Sequence, residues 1–129
     1  MSCRVMMVDD NDNDLLFTRL MLQRSGVGYE VLPFERAEQA LQHLANTPDH
    51  GVSLILLDIN MPVMNGFAFL EAFQKLPPAQ REGVSVLLLT SSSDPADQAR
   101  AAQFACVKGY LTKPLDKATA AGLTRYLPA

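Results

Sequence analysis

Asp9-Asp10, Asp58, Thr90-Ser91 and Lys113-Pro114 are the residues of this chain best placed to act together, because each set follows a short apolar run. Val5-Met6-Met7-Val8 leads into Asp9-Asp10, and Leu54-Ile55-Leu56-Leu57 into Asp58. Val86-Leu87-Leu88-Leu89 leads into Thr90-Ser91, and Tyr110-Leu111 leads through Thr112 into Lys113-Pro114. If the runs are buried parallel strands, these groups gather at the carboxyl end of one sheet, where open α/β folds keep their sites. Unpaired carboxylates in a shared cleft repel and raise one another's pKa. A hard cation relieves that repulsion, and Mg²⁺ takes one or two carboxylates together with waters and phosphate oxygens. A carboxylate nucleophile, a hydroxyl donor, a lysine point charge and such a cation form a set suited to phosphoryl transfer. Asp58 is the natural nucleophile, since it follows a buried run and precedes a turn containing Pro62 and Asn65-Gly66.

Each residue alone has an ordinary reading. Asp9-Asp10 would serve as a turn or helix cap, Asp58 is equally ambiguous, Thr90 would satisfy a turn, and Lys113 would be a surface lysine. Only their coincidence at the strand ends carries the chemistry.

The elements that must position them are legible from periodicity. Strand-like runs fall near 3–9, 29–34, 52–57, 84–90 and 107–111. Leu16, Phe17, Leu20 and Met21 share one face of a first helix, closed by Ser25-Gly26. Ala37, Ala40, Leu41, Leu44 and Ala45 repeat at helical spacing before Pro48, and Phe69, Leu70 and Phe73 mark a third helix that stops at Pro77-Pro78. Asp94-Pro95 supplies an N-cap and first-turn proline for a fourth helix, running to about Phe104. Leu115, Ala118, Leu123, Tyr126 and Leu127 make a fifth. Strict β-α alternation predicts a doubly wound parallel sheet with helices on both faces. No linker, repeat or low-complexity segment interrupts it, so one domain over 1–129, with a core of about 3–127 and no output domain, is expected.

Composition narrows the function classes. The chain has 129 residues, 48% of them hydrophobic, enough for one core. A net charge of −3 leaves no basic footprint for nucleic acid. No apolar run approaches the roughly 18 residues of a membrane span, and the charged Asp9-Asp10 cuts off any signal-like segment. Cys3 and Cys106 lack CxxC spacing and read as reduced packing residues, and no His/Cys cluster suggests zinc. His43, in a helical segment, and His50, in a loop, read as solvated or capping residues. The expectation is a soluble cytoplasmic protein.

Four segments carry a resemblance. They are Val8-Asp9-Asp10-Asn11, Leu57-Asp58-Ile59-Asn60-Met61-Pro62-Val63-Met64-Asn65-Gly66, Leu89-Thr90-Ser91 and Gly109-Tyr110-Leu111-Thr112-Lys113-Pro114. With this ordered set the chain resembles a response-regulator receiver domain, most similar to stand-alone chemotaxis-type receivers, over roughly residues 3 to 127. The resemblance implies a flavodoxin-like five-stranded sheet of order 2-1-3-4-5 with five helices. It implies that Asp58 accepts a phosphoryl group from the phosphohistidine of a sensor histidine kinase or histidine phosphotransfer protein. Mg²⁺ would be held by Asp10, Asp58 and the backbone carbonyl of Asn60, with Asp9 acting through water. Lys113, Thr90 and Ser91 would meet the phosphoryl oxygens, Thr90 and Tyr110 would form the switch, and the Lys113-Pro114 bond would be cis.

By the same resemblance, output to an unknown protein target runs through the face of the fourth helix, fifth strand and fifth helix. A kinase or phosphotransfer helix would dock on the first helix, near Phe17 and Met21. The protein is expected to be a monomer that dephosphorylates itself slowly and is not otherwise an enzyme. Departures from the family pattern are Asn65 in place of an aspartate, Ser91 in place of a small residue, and Cys106-Val107-Lys108 before the last strand. Asn60 and Ser92 occupy the variable positions that tune water access. Among other readings, an aspartyl phosphatase would need an acid where Asn60 stands. A flavin binder would need a phosphate-binding loop where Asp9-Asp10-Asn11-Asp12 repels phosphate. A phosphorylation-independent pseudo-receiver would usually have lost one of the residues retained here.

Overall fold

Five parallel strands carry the fold in a computed structural model that describes residues 3–91 and 94–127: β1 (Arg4–Val8), β2 (Glu30–Phe34), β3 (Val52–Leu57), β4 (Ser85–Thr90) and β5 (Val107–Thr112). Their order is β2-β1-β3-β4-β5, the flavodoxin-like arrangement. All six residues of β4 and nearly all of β1 and β3 are buried, because helices cover both faces. That two-sided burial explains why these strands read as continuous apolar runs instead of alternating ones. The outer strands β2 and β5 are half-exposed.

The helices are α1 (Asp12–Arg24), α2 (Ala37–Asn46), α3 (Gly66–Gln74), α4 (Pro78–Arg81), α5 (Pro95–Ala101) and α6 (Lys117–Ala121), followed by a 3₁₀ turn at Leu123–Tyr126. One face of the sheet packs Ala40, Leu44, Phe69, Phe73 and Ala101 from α2, α3 and α5 against Met6, Ile55 and Leu88. The other packs Leu22, Ala120 and Leu123 from α1, α6 and the 3₁₀ turn against Val5, Leu54 and Leu87.

Three expectations need correction. The single turn α4 was not foreseen; it raises the helix count to six. The expected fourth helix, α5, ends at Ala101 instead of near Phe104. The expected fifth helix is divided at Gly122, whose N–H bonds back to the Ala118 and Thr119 carbonyls and closes α6. On α1 the core face is Thr18 and Leu22 with half-buried Leu15 and Met21, while Leu16 (58% exposed) and Phe17 (42% exposed) point to solvent. Two apolar stripes overlap on this helix, and contact of Leu15 and Leu22 with the Val5–Leu56 cluster selected one of them.

Of the two readings of His50, solvated or capping, burial removes the first and a local hydrogen bond supports the second. The side chain is buried, its Nδ1 accepts from the Val52 N–H at 2.9 Å, and its Nε2 lies 2.7 Å from the Gln80 carbonyl. The first bond fixes the tautomer with the proton on Nε2, so the ring ties the start of β3 to α4. His43 packs instead against Phe34, ring centroids 5.6 Å apart.

The loop between β3 and α3 is where the backbone is most constrained. A Cβ on Gly66 would meet the Asp58 carbonyl oxygen at 2.7 Å and the Ile59 Cα at 2.9 Å, so α3 starts in contact with the backbone of that aspartate. Asn65 caps α3 through the Ala68 N–H at 2.9 Å, so the amide serves in place of an aspartate. Val63 has φ 68°, a region a β-branched residue reaches only under strain. Gly66→Ala is expected to lower stability by about 1–3 kcal/mol through overpacking. Val63→Gly should raise it by up to ~1 kcal/mol, the strain relieved less the entropy of an added glycine. Urea unfolding with an unchanged m-value reads both.

Candidate functional site

Strand register decides which side chains meet. Val8 pairs with both Phe34 and Leu57, Leu57 with Leu88, and Thr90 with Thr112, so the carboxyl ends of the strands lie together. The hydrogen bonding continues one residue beyond the strands. The Asp9 N–H donates to the Phe34 carbonyl at 3.1 Å, the Asp58 N–H to Val8 at 2.9 Å, and the Lys113 N–H to Thr90 at 2.7 Å. Each of these residues is therefore set by backbone bonds before its side chain makes any contact.

Asp9, Asp10 and Asp58 each place a carboxylate oxygen within 4.8 Å of the others, with Asp9 and Asp58 buried and Asp10 open to solvent. Oxygen donors this close, without a thiolate or imidazole among them, suit a hard divalent cation such as Mg²⁺. Local amides accompany them: the Asn11 N–H donates to Asp9 Oδ1 at 3.0 Å and the Asn60 N–H to Asp58 Oδ1 at 3.3 Å. Burial pushes the Asp58 carboxyl up to about 6, and Asp9 and Asp10 push the same way, against the opposing pull of Lys113 and the Asn60 amide.

Lys113 closes the site from β5. Its ammonium lies 2.7 Å from Asp9 Oδ2, 2.9 Å from Asp14 Oδ2 and 3.5 Å from Asp58 Oδ2. Burial alone would lower its pKa; the bonds to Asp9 and Asp14 and the field of Asp58 outweigh burial and raise it. The lysine is firmly cationic.

Thr90 is fully buried at the end of β4, and Ser91 beside it is exposed. Tyr110, opposite Leu88 on β5, is half-buried against the α3–α5 side of the core; burial and the carboxylates of Asp97 and Asp94 push its phenol up. The Lys113-Pro114 peptide bond is cis. Ser92 lies outside the described residues. Asp14 was missed at the sequence level. It lies four residues after Asp10, in the first turn of α1, in a run with so many acidic and amide residues that spacing alone singled out none of them.

Among the described residues, no helix is long and apolar enough to cross a membrane. Cys3 and Cys106 are free thiols, half-buried.

The sequence profile of the "Response regulator receiver domain" matches residues 5–122. Protein PilH of Pseudomonas aeruginosa is 28% identical over 90% of this chain and 89% of its own. A probable cyclic di-GMP phosphodiesterase of Vibrio cholerae is 30% identical over 88% of this chain and 24% of its own. The crystal structure of a response regulator receiver protein from Dyadobacter fermentans superposes with a TM-score of 0.86 at 30% identity, covering 100% of both chains. The first curated relatives, which include a sensor kinase/phosphatase, are longer proteins: the chain spans 24%, 16% and 55% of their lengths. A profile match across most of the chain, a doubly wound sheet of matching order and a full-length structural likeness agree, and the chain belongs to the response-regulator receiver domain family of two-component signalling.

Proposed function

We propose that this domain is a Mg²⁺-dependent phosphoacceptor. Asp58 would take a phosphoryl group from the phosphohistidine of a sensor histidine kinase or phosphotransfer protein. The observation that carries this reading is the meeting of Asp9, Asp10 and Asp58 with the Lys113 ammonium at one sheet edge. In the transfer, Asp58 Oδ forms a bond to phosphorus as the bond from phosphorus to the donor imidazole nitrogen breaks. The electron pair leaves on that nitrogen. The cation, when bound by Asp10, Asp58 and the Asn60 backbone carbonyl, with Asp9 through water, supplies positive charge for the phosphoryl oxygens. Lys113 supplies a second positive charge, and the hydroxyls of Thr90 and Ser91 are the donors at the next strand end.

The switch follows from the same charges. Phosphorylation adds about −1.5 to −2 of charge and three acceptor oxygens at one point. Thr90 turning toward them would vacate space for Tyr110, which is already half-buried on β5. That would remodel the face of α5, β5 and α6, where a protein target would bind. On the opposite flank, exposed Leu16 and Phe17 on α1 give a donor helix an apolar surface beside the site. The sensor kinase among the relatives supports a histidine kinase as the donor.

Intact-mass spectrometry after incubation with acetyl phosphate tests the acceptor. One phosphoryl adduct is expected in wild type with Mg²⁺, and none after chelation or in Asp58→Asn. An adduct that survives in Asp58→Asn would place the acceptor elsewhere, and no adduct in a folded wild type would favour a phosphorylation-independent binding module.

A second test uses linkage. Asp58 holds its proton up to about 6 in the folded protein against an ordinary 3.8, so the folded state binds more protons across that interval and stability falls as pH rises through it. Above pH 6 the ionised carboxylate is a standing cost. Without Mg²⁺, Asp58→Asn should therefore melt a few degrees above wild type at pH 7, and the gap should close near pH 4. Added Mg²⁺ should raise the wild type at pH 7 but much less at pH 5, where protons compete for Asp58. Parallel thermal scans of both proteins at these pH values check both effects.

A further inference from the structure

An ammonium has three N–H donors, and Lys113 has three carboxylate neighbours. Asp9 and Asp58 belong to the acidic cluster, but Asp14 does not. Acidic residues in the first turn of a helix are ordinarily explained by its dipole, and Asp12 and Asp14 both lie in the first turn of α1. The dipole does not explain why one of them reaches 99 residues along the chain to Lys113. Among the described residues, Asp12 forms no ion pair with Lys113. The distances also have an order: Nζ is 2.7 Å from Asp9 and 2.9 Å from Asp14, but 3.5 Å from Asp58. The lysine is drawn toward α1 and away from the acceptor.

We infer that Asp14 is a positioning residue that competes with the phosphoryl group for Lys113 and so restrains occupancy of the site. The inference rests on the phosphoacceptor reading above. A phosphoryl group on Asp58 needs the lysine's donors, and Asp14 must yield one for it to be fully engaged. The Asp14 side chain is 43% exposed, so solvent can take over its carboxylate once the lysine leaves. A partner this exposed makes an ion pair of modest strength. Asp14 thus sets a threshold for phosphorylation without abolishing it, and links the state of Asp58 to the first turn of α1.

The test is a beryllofluoride titration at saturating Mg²⁺, followed by backbone amide NMR, on wild type, Asp14→Asn, Asp14→Glu and Asp12→Asn. Asp14→Asn is expected to bind about two- to fivefold more tightly than wild type, the range of a half-exposed ion pair. Asp14→Glu should restore most of the wild-type affinity. Asp12→Asn removes an equal charge from the same helical turn without touching Lys113, and should change little. In the metal-free protein, the Lys113 ammonium ¹⁵N signal should shift in Asp14→Asn and stay near wild type in Asp12→Asn. Equal affinities for wild type and Asp14→Asn would overturn the inference, as would equal gains in both Asn variants or an unmoved ammonium signal. A wild type that takes no beryllofluoride would instead overturn the phosphoacceptor reading, and this one with it.

Discussion

Like charge held at close range is the constraint on which the rest of this structure depends. Asp9, Asp10 and Asp58 bring their oxygens within 4.8 Å of one another, and two of them are buried. One ammonium, Lys113, faces them and also Asp14. Left to themselves, such groups would swing apart into water. Here the backbones of Asp9 and Asp58 are held, their amides bonded across the sheet to Phe34 and Val8. The unfavourable field appears as the raised pKa of Asp58, in which burial is the largest cause. A group of charges that is costly in isolation is what a divalent cation would relieve.

Holding charges against repulsion requires a stiff support, and the packing supplies it. The two central strands beside the site, β3 and β4, are buried on both faces. Large side chains with almost no exposure, among them Phe69, Phe73, Met6, Leu54 and Leu88, fill the layers above and below. The close approach of Gly66 to the Asp58 carbonyl couples α3 to the loop after β3, and the strained Val63 lies in that loop. The stiff sheet edge thus keeps its charges in place beside a strained loop.

The two flanks of the domain differ in character. On the α1 side, Leu16 and Phe17 stand exposed next to an acidic first turn. On the α5 and β5 side, alanines and the half-buried Tyr110 make a smoother surface. Lys113 sits between them, bonded through its side chain toward α1 and through its backbone to β4.

The amino-acid order by itself determined the sheet and the polar residues at its carboxyl edge, Asp9-Asp10 and Asp58 among them, because β1, β3 and β4 are runs dominated by Val, Ile, Leu and Met that end on a residue of different chemistry. Buried parallel strands demand such runs, and the polar residue that ends each run marks the edge. What it did not determine was how competing choices would be settled. Spacing on α1 put Leu16, Phe17, Leu20 and Met21 on one face, and only packing in the cluster with Val5 and Leu56 turned Leu22 inward and left Leu16 outward. His50 read as a loop residue until the fold brought Gln80 and the start of β3 to its two ring nitrogens. Asp14 was one acid among several near Asp10 until β5 delivered Lys113 beside it. Periodicity and strand ends are local and can be read along the chain. Ion pairs and buried hydrogen bonds depend on where distant segments arrive, and only the folded chain decides that.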